Sequence, residues 1–218
     1  MKAIIFLIAA TLLSACAATA PQDSMQADVE QAAAIIERFE AIPERAIPPA
    51  VMRAAKGLAI LTVTKAGFIG SARGGTGIVI ARTGKGWSGP SAIGTGGLGV
   101  GFQVGVEVSE FVIVLNTPAA IDAFARGGNV TLGGNLTVAA GPVGRSAEGS
   151  VALQAAMYSY SRSQGLFAGI SLEGTGIGTR DEVNSAYYGR PVAAKDILAG
   201  NVQPPARAQR LLAVLAKY

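Results

Sequence analysis

The distribution of glycine along the chain is the feature that most constrains its fold. Residues 1–56 contain no glycine, residues 57–149 contain 22, and residues 150–218 contain the other 7 of the 29 in this 218-residue chain. Glycine is unfavourable inside helices and useful where strands bend or two backbones approach closely. The pattern therefore predicts a helical arm, a glycine-rich β core that begins at residue 57, and a helical C-terminal tail.

The arm has the periodicity of an amphipathic helix. Apolar residues recur every three or four positions, at Met25, Val29, Ala32, Ile36 and Phe39. Asp23, with Gln26 three positions later, predicts the N-terminal cap of this helix. The polar side is largely acidic, which is untypical of a helix that lies on a membrane. Packing against the sheet is therefore favoured over the alternative of a membrane-lying helix.

The core has the patterns of β-strands. Residues 58–64 are rich in β-formers, and Gly74-Gly75 predicts a turn before a strand at 77–81. Residues 102–109 alternate, which predicts a half-buried strand with Val106 and Val108 inward and Glu107 on the polar side. Residues 111–115 are apolar throughout and indicate a central strand. The G-x-G-x-x-G string at 94–99 opens an alternating strand rather than a helix, so no nucleotide loop is predicted.

Capping signals place short helices after the first strands. Thr117 followed by Pro118 predicts a helix that ends at Gly127, and Thr179 with Glu182 predicts a capping box for another helix. Residues 193–199 and 206–217 also have helical patterns. The fold class predicted is β-rich α+β: a glycine-rich curved antiparallel sheet or barrel-like core, with short helices at both ends.

The N-terminus has the features of a lipoprotein signal peptide. Residues 3–13 form an apolar stretch of eleven residues after Lys2, which is too short to span a membrane. Leu13-Ser-Ala-Cys16 resembles a bacterial lipobox, in which Cys16 receives the acyl chains; an ordinary signal peptide is the alternative. Ala17 after this cysteine is similar to outer-membrane sorting signals. The expected location is the cell envelope, lipid-anchored at the outer membrane and facing the periplasm.

The predicted organisation follows from these segments. It comprises a lipoprotein signal peptide (1–15), a lipidated tether (16–23), an N-terminal helical arm (24–56), a β core with short helices (57–198) and a C-terminal helical tail (199–218), with residues 24–218 forming one domain.

Composition excludes several classes of enzyme. The chain has no histidine and a single cysteine, which rules out Ser-His-Asp and Cys-His catalysis, the usual zinc clusters and an internal disulfide. Nothing in the sequence selects a carboxylate pair, so a carboxylate-based hydrolase is only a third hypothesis. We predict no catalytic residue, no cofactor and no metal. The formal net charge of +4 is too small for a nucleic-acid binder.

Several strings, in register along the chain, resemble one family. They are AKGL at 55–58, KAGF at 65–68, WSGP at 87–90, AAGPVGR at 139–145, YSYSR at 158–162, GLFAG at 165–169, SLEG at 171–174 and YYG at 187–189. Together they are similar to the SYLF domain family over residues 51–198. Eukaryotic members of that family bind phosphoinositides and some bind actin filaments, whereas bacterial members are commonly secreted or lipidated single domains.

The resemblance implies affinity for anionic phospholipid or phosphoinositide-type headgroups and no catalytic residue. Among the matched positions, the basic residues expected to contact a headgroup are Lys65, Arg145 and Arg162; spacing alone would make them solvated surface charges. Gly141, Pro142 and Gly144 are expected to shape the loop that presents Arg145. Actin binding is not expected in an envelope protein. The alternative function is a structural or interaction lipoprotein that recognises an envelope protein partner and touches lipid only through its anchor.

Overall fold

The computed structural model describes residues 20–42, 46–67, 70–100, 105–127, 130–131, 138–142, 155–165 and 176–218. Its helices are α1 Pro21–Glu40, α2 Pro49–Ala54, α3 Pro118–Ala125, α4 Asp181–Tyr188, α5 Ala194–Leu198 and α6 Gln209–Leu215, the last preceded by a 3-10 turn at Ala206–Ala208. Its strands are β1 Gly57–Gly67, β2 Gly70–Thr83, β3 Gly86–Trp87, β4 Ser91–Val100, β5 Gly105–Leu115, β6 Val130–Thr131, β7 Val138–Ala140, β8 Met157–Gly165 and β9 Gly176–Thr179. The lipidation position Cys16 and Arg145 lie outside the described residues.

The described strands form one strongly curled, half-barrel sheet, which confirms the predicted α+β class. The strand order is β6-β9-β4-β2-β1-β5-β8-β7, with β3 paired to β2. One pair departs from the predicted antiparallel arrangement, because β7 runs parallel to β8. A parallel pair needs a crossover of a dozen or more residues, and residues 141–156 supply a connection of that length.

Helices pack on both faces of the sheet. The face under α1, α2, α4 and α6, here the α1 face, carries Leu58, Ile60, Ile78, Val112 and Val114. The face under α3 and α5, here the α3 face, carries Ala59, Leu61, Val79, Phe111 and Ile113. Strand residues alternate between these faces, so helices cover one half of the sheet on both sides.

Helix α1 packs on the sheet, as its periodicity predicts. Its five predicted apolar positions are all buried. The predicted cap is wrong, because the N-cap is Ala20 and Asp23 lies inside the helix without capping it. Pro21 occupies the first turn, where its fixed φ favours a helix and its missing N–H costs no hydrogen bond. The helix therefore begins at Pro21, two residues before the predicted cap at Asp23.

The other two predicted caps have different outcomes. Thr117 caps α3, and its side chain accepts a hydrogen bond from the Ala120 N–H at 3.2 Å. The capping box at Thr179 is wrong, since α4 begins at Asp181 with no side-chain cap. Thr179 is instead the last residue of β9 and pairs with Ile93. Because strand pairing holds the Thr179 backbone in β9, the Thr179 side chain does not cap α4.

The predicted turn at Gly74-Gly75 is also wrong, because both glycines lie inside the long strand β2. Their absent side chains allow close approach of the neighbouring strand. A Cβ on Gly75 would lie 2.9 Å from the Val63 Cγ2, and a Cβ on Gly77 would lie 2.6 Å from the Leu61 Cα and overlap the Ile60 carbonyl oxygen. These glycines therefore permit the strong curl of the sheet between β1 and β2.

The sheet has two halves that differ in how many of their faces are buried. In the covered half (residues 57–61, 77–81 and 111–115), side chains are buried on both faces. In the open half (residues 64–67, 72–76 and 105–109), the α1 face is exposed: Val106 is 58% and Val108 is 38% exposed. Glu107 and Ser109, on the α3 face, are 1% and 0% exposed. The predicted orientation of this strand is therefore wrong: its valines face outward and its polar residues are buried.

Candidate ligand-binding site

The candidate site is a cavity at the edge of the sheet, between the end of α1 and strands β7 and β8. Its volume is about 270 Å³. The side chains that define its chemistry are Arg38, Phe39 and Ile42 from α1 and the turn after it, and Tyr160 and Arg162 from β8. Two guanidinium groups therefore lie beside an aromatic and aliphatic surface. That combination suits a ligand with an anionic group attached to an apolar body.

One of the two arginines is already paired. Arg38 donates from Nε to Glu110 Oε2 at 3.1 Å and from Nη2 to Glu110 Oε1 at 2.7 Å. Gln31 Nε2 donates to the same carboxylate at 3.4 Å. Because Glu110 is buried, this bidentate pair holds Arg38 in one orientation at the wall of the cavity. Its positive charge is largely balanced within the protein.

The second arginine of the cavity is Arg162. Arg162 lies opposite Glu110 in the β5–β8 pairing, but Glu110 is occupied by Arg38. Within the described part of the chain, Arg162 forms no hydrogen bond or ion pair of the kind that holds Arg38. A partly exposed guanidinium beside a cavity offers up to five donors to an incoming anion. Arg162 is therefore the residue that could bind a phosphate or carboxylate here.

Tyr160 and Gly141 shape the wall of the cavity. The Tyr160 hydroxyl donates to the Pro142 carbonyl oxygen at 3.1 Å, and a Cβ on Gly141 would lie 2.5 Å from the Tyr160 Cε2. Glycine at 141 is therefore required for the ring to reach this position. Burial, and secondarily the neighbouring Tyr158, raises the pKa of Tyr160 well above its ordinary value. Its phenol stays neutral and acts as a wall rather than as a charged ligand.

The structure does not bring Lys65 and Arg162 together. Arg162 shares the α1 face with Tyr160. Lys65 lies opposite both Arg73 and Glu107 in the strand register, which puts it on the α3 face. On that face the Ser109 hydroxyl donates to Glu107 Oε1 at 3.3 Å and lies 2.8 Å from the Ser163 hydroxyl. The described residues among the three predicted contacts thus belong to different surfaces.

Sequence reasoning missed Arg38 and Phe39. Both lie on a helix whose periodicity predicts burial of one side, and no local signal relates them to a strand more than 100 positions later. Among the described residues, no three histidine, cysteine, aspartate or glutamate side chains are grouped so that they could hold a metal ion. In the same ranges, none of the helices has the length and apolar character needed to cross a bilayer.

Comparison with known proteins agrees with the resemblance in the sequence. Residues 96–218 match the family described as "Ysc84: Las17-binding protein actin regulator". The chain is 51% identical over 203 residues to the human SH3 domain-containing YSC84-like protein 1, covering 89% of this chain and 59% of that protein. It is 51% identical over 177 residues to the SH3 domain-containing protein PJ696.02 of Schizosaccharomyces pombe, with 79% and 41% covered.

A budding-yeast relative is similar over almost the same region. LAS seventeen-binding protein 3 of Saccharomyces cerevisiae is 45% identical over 202 residues, covering 88% of this chain and 44% of that protein. The chain thus spans roughly two fifths to three fifths of the length of these relatives. Their names are those of binding or domain-containing proteins rather than of enzymes. The chain belongs to the Ysc84 family, which is the SYLF domain family that its sequence strings resemble.

Proposed function

We propose that this chain is a non-enzymatic, envelope-anchored lipoprotein whose SYLF domain binds anionic phospholipid headgroups at the Arg162 cavity. The observation that carries the proposal is Arg162, a guanidinium with no ion-pair partner among the described residues, in a cavity lined by Tyr160, Phe39 and Ile42. A phosphate would accept two parallel hydrogen bonds from Arg162. The glycerol backbone and first methylenes of the lipid would contact the apolar residues.

The volume of the cavity agrees with this ligand class. About 270 Å³ is slightly below the ~300–1,000 Å³ of cavities that enclose a drug-sized ligand. A headgroup that enters from the surface while its chains remain in the membrane needs no larger enclosure. Attachment at Cys16 would keep the domain at a lipid surface, because two or more acyl chains anchor a protein stably. The outer membrane, facing the periplasm, is the proposed location.

Vesicle binding tests this function. Residues 16–218 carrying Cys16→Ser, the form expected after removal of the signal peptide and without acyl chains, are sedimented with phosphatidylcholine vesicles and with vesicles that also contain phosphatidylglycerol. We expect stronger binding to the anionic vesicles, reduced by salt. Arg162→Ala should weaken that binding by about tenfold, the equivalent of one charge-assisted hydrogen bond of about 1.5 kcal/mol. Arg162→Lys should retain part of it.

Two control variants make the test specific. Arg126→Ala removes an exposed positive charge that follows α3 and controls for net charge. Lys65→Ala removes the predicted contact that the register places on the α3 face. Both should bind anionic vesicles nearly as the parent does. Equal losses in all three variants would show that only net charge matters, and equal binding to neutral and anionic vesicles would refute the headgroup site.

Recognition of a protein partner is the second candidate. The description of the family, with Las17 binding and actin regulation, and the name of the budding-yeast relative support it. This candidate predicts that an envelope protein is captured equally by the parent chain and by Arg162→Ala, with no dependence on lipid charge. Capture that is lost together with vesicle binding would instead connect both to the same cavity.

A further inference from the structure

The described residues of the open half expose, on the α1 face, a surface with no charged side chain. On its α1 face the exposed positions are Thr64, Ala66, Ala72, Gly74, Thr76, Val106 and Val108, here called the open face. The charged residues of the same strand segments, Lys65, Arg73 and Glu107, occupy the alternating positions and belong to the α3 face. An exposed strand surface normally carries the polar positions. Here the polarity is reversed.

Charged side chains lie at the border of the open face, and they differ in whether they have an ion-pair partner. Along α1, Glu110 is paired with Arg38 at 2.7 Å and Asp28 is paired with Arg180 at 3.2 Å. Both acidic groups are therefore neutralised by arginines. Arg162, at the β8 border, lacks such a partner among the described residues. These five groups sum to one positive charge, and Arg162 places it at the cavity.

The area of the open face argues against a stable dimer. Strands lie about 4.8 Å apart and rise about 3.3 Å per residue, so three strands over five positions present roughly 250 Å². A standard protein interface needs about 800 Å² from each partner. A lipid surface sets no such minimum, and it favours an uncharged contact area with a cation at its border. The charge pattern and the area together favour a membrane as the occupant.

We infer that the open face is the membrane-docking surface of this domain: it lies on an anionic phospholipid bilayer, with Val106 and Val108 in the interfacial region and Arg162 at a lipid phosphate. The inference rests on the proposed function and assigns the orientation in which the domain meets the membrane. The alternation of side chains along β5 produces this arrangement. One segment of β5 directs its carboxylate inward and its two valines toward lipid.

Site-specific fluorescence tests this orientation. Cys16 is the single cysteine of the chain, so the Cys16→Ser chain accepts one new cysteine for an environment-sensitive dye. The label is attached at Val106→Cys, and in a matched control at Val192→Cys, a half-exposed valine between α4 and α5. On phosphatidylcholine–phosphatidylglycerol vesicles, the dye at 106 should shift to shorter wavelength and be quenched by brominated lipid. The dye at 192 should show neither change.

A substitution series gives a second, independent measurement. Val106→Ser and Val108→Ser keep the charge of the chain, and each should lower the apparent affinity for anionic vesicles about threefold, through loss of partial burial of one valine. Val192→Ser should leave the affinity unchanged. Circular dichroism of each variant checks that the fold is retained, which the exposure of these side chains favours.

The possible outcomes separate the two proposals. Binding to anionic vesicles without a shift at position 106 would overturn the docking surface and leave the headgroup site standing. Absence of binding to any vesicle would overturn the proposed function and the inference together. A shift at position 106 that depends on protein concentration and needs no vesicles would identify a second copy as the occupant, which also overturns the inference.

Discussion

The two halves of the sheet use the same strands for different purposes. In the covered half, β1, β2 and β5 place apolar side chains on both faces, and helices pack over each face. In the open half, the same three strands extend past the helices of the α1 face and direct threonine, alanine, glycine and valine outward. The covered half therefore provides stability, whereas the open half provides a surface. The difference shows that a strand can change its role along its length without changing its periodicity.

Large-to-small substitution should show the largest contrast between the halves. Phe111 is a fully buried side chain of the covered half, and Val106 is the most exposed large apolar residue described. Phe111→Ala should lower the free energy of unfolding by about 3–5 kcal/mol, because it removes buried contacts and leaves a cavity. Val106→Ala should change that free energy by less than about 0.5 kcal/mol. Urea unfolding followed by circular dichroism measures both.

Val112→Ala, on the α1 face of β5, is a useful companion variant. It is also fully buried, so it should be clearly destabilising if helices cover both faces of this half. A small effect of Val112→Ala beside a large effect of Phe111→Ala would mean that only the α3 face is packed. The α1 face of the covered half would then contribute little to stability, contrary to the description of that half as packed on both faces.

Glycine substitution should give the next largest effect, and it sharpens the boundary between the halves. Gly77 and Gly74 lie on the same strand. A Cβ on Gly77 would lie 2.6 Å from the Leu61 Cα, whereas a Cβ on Gly74 would meet only the Thr95 carbonyl oxygen at 4.0 Å. Gly77→Ala should therefore cost about 1–3 kcal/mol of stability, as overpacking does. Gly74→Ala should be neutral or stabilise by up to about 1 kcal/mol.

The same unfolding experiment measures this pair. Neither glycine has a left-handed backbone, so the difference reports the space between β1 and β2 and not backbone strain. A neutral effect of Gly77→Ala, equal to that of Gly74→Ala, would show that the strands can separate at no cost. The strong curl of the sheet would then have another cause.

Much of the fold could be predicted because periodicity is a local property. The spacing in α1, the apolar run at 111–115 and the Thr117 cap each depend on residues within one element. The outward orientation of Val106 could not be predicted in this way. Alternation shows which residues share a face, but which face is covered depends on where α1 crosses the sheet. That is a tertiary property.

The candidate site was only partly predictable for the same reason. The resemblance selected both Lys65 and Arg162, but the pairing of β1 and β8 with β5 decides their faces. Lys65 lies opposite Glu107 and Arg162 lies opposite Glu110. These acidic residues are three positions apart and so point to opposite sides. Arg38 joins Arg162 only because α1 ends above β8, a contact with no signal in either segment.

The smallest expected effect concerns Asp28, which lies on α1 where the two halves meet. It accepts a hydrogen bond from the Thr76 hydroxyl at 2.7 Å and pairs with Arg180 at 3.2 Å. Burial raises its pKa above the ordinary value, and the Thr76 and Arg180 contacts only partly oppose this. The folded protein therefore binds a proton at Asp28 more readily than the unfolded chain does. Stability from this group is fully present below the ordinary pKa and is lost as pH rises through the raised pKa.

Asp28→Asn removes this titration while keeping an acceptor for Thr76. The free energy of unfolding of the parent, relative to that of Asp28→Asn, should therefore increase as pH falls from 7 toward 4, although other carboxylates destabilise both proteins. Urea unfolding of the two proteins in parallel across that range isolates the difference, since the other groups cancel. A difference that decreases toward low pH would show that Arg180 outweighs burial at Asp28. The Arg180–Asp28 ion pair, rather than burial, would then dominate the contribution of Asp28 to stability where the two halves meet.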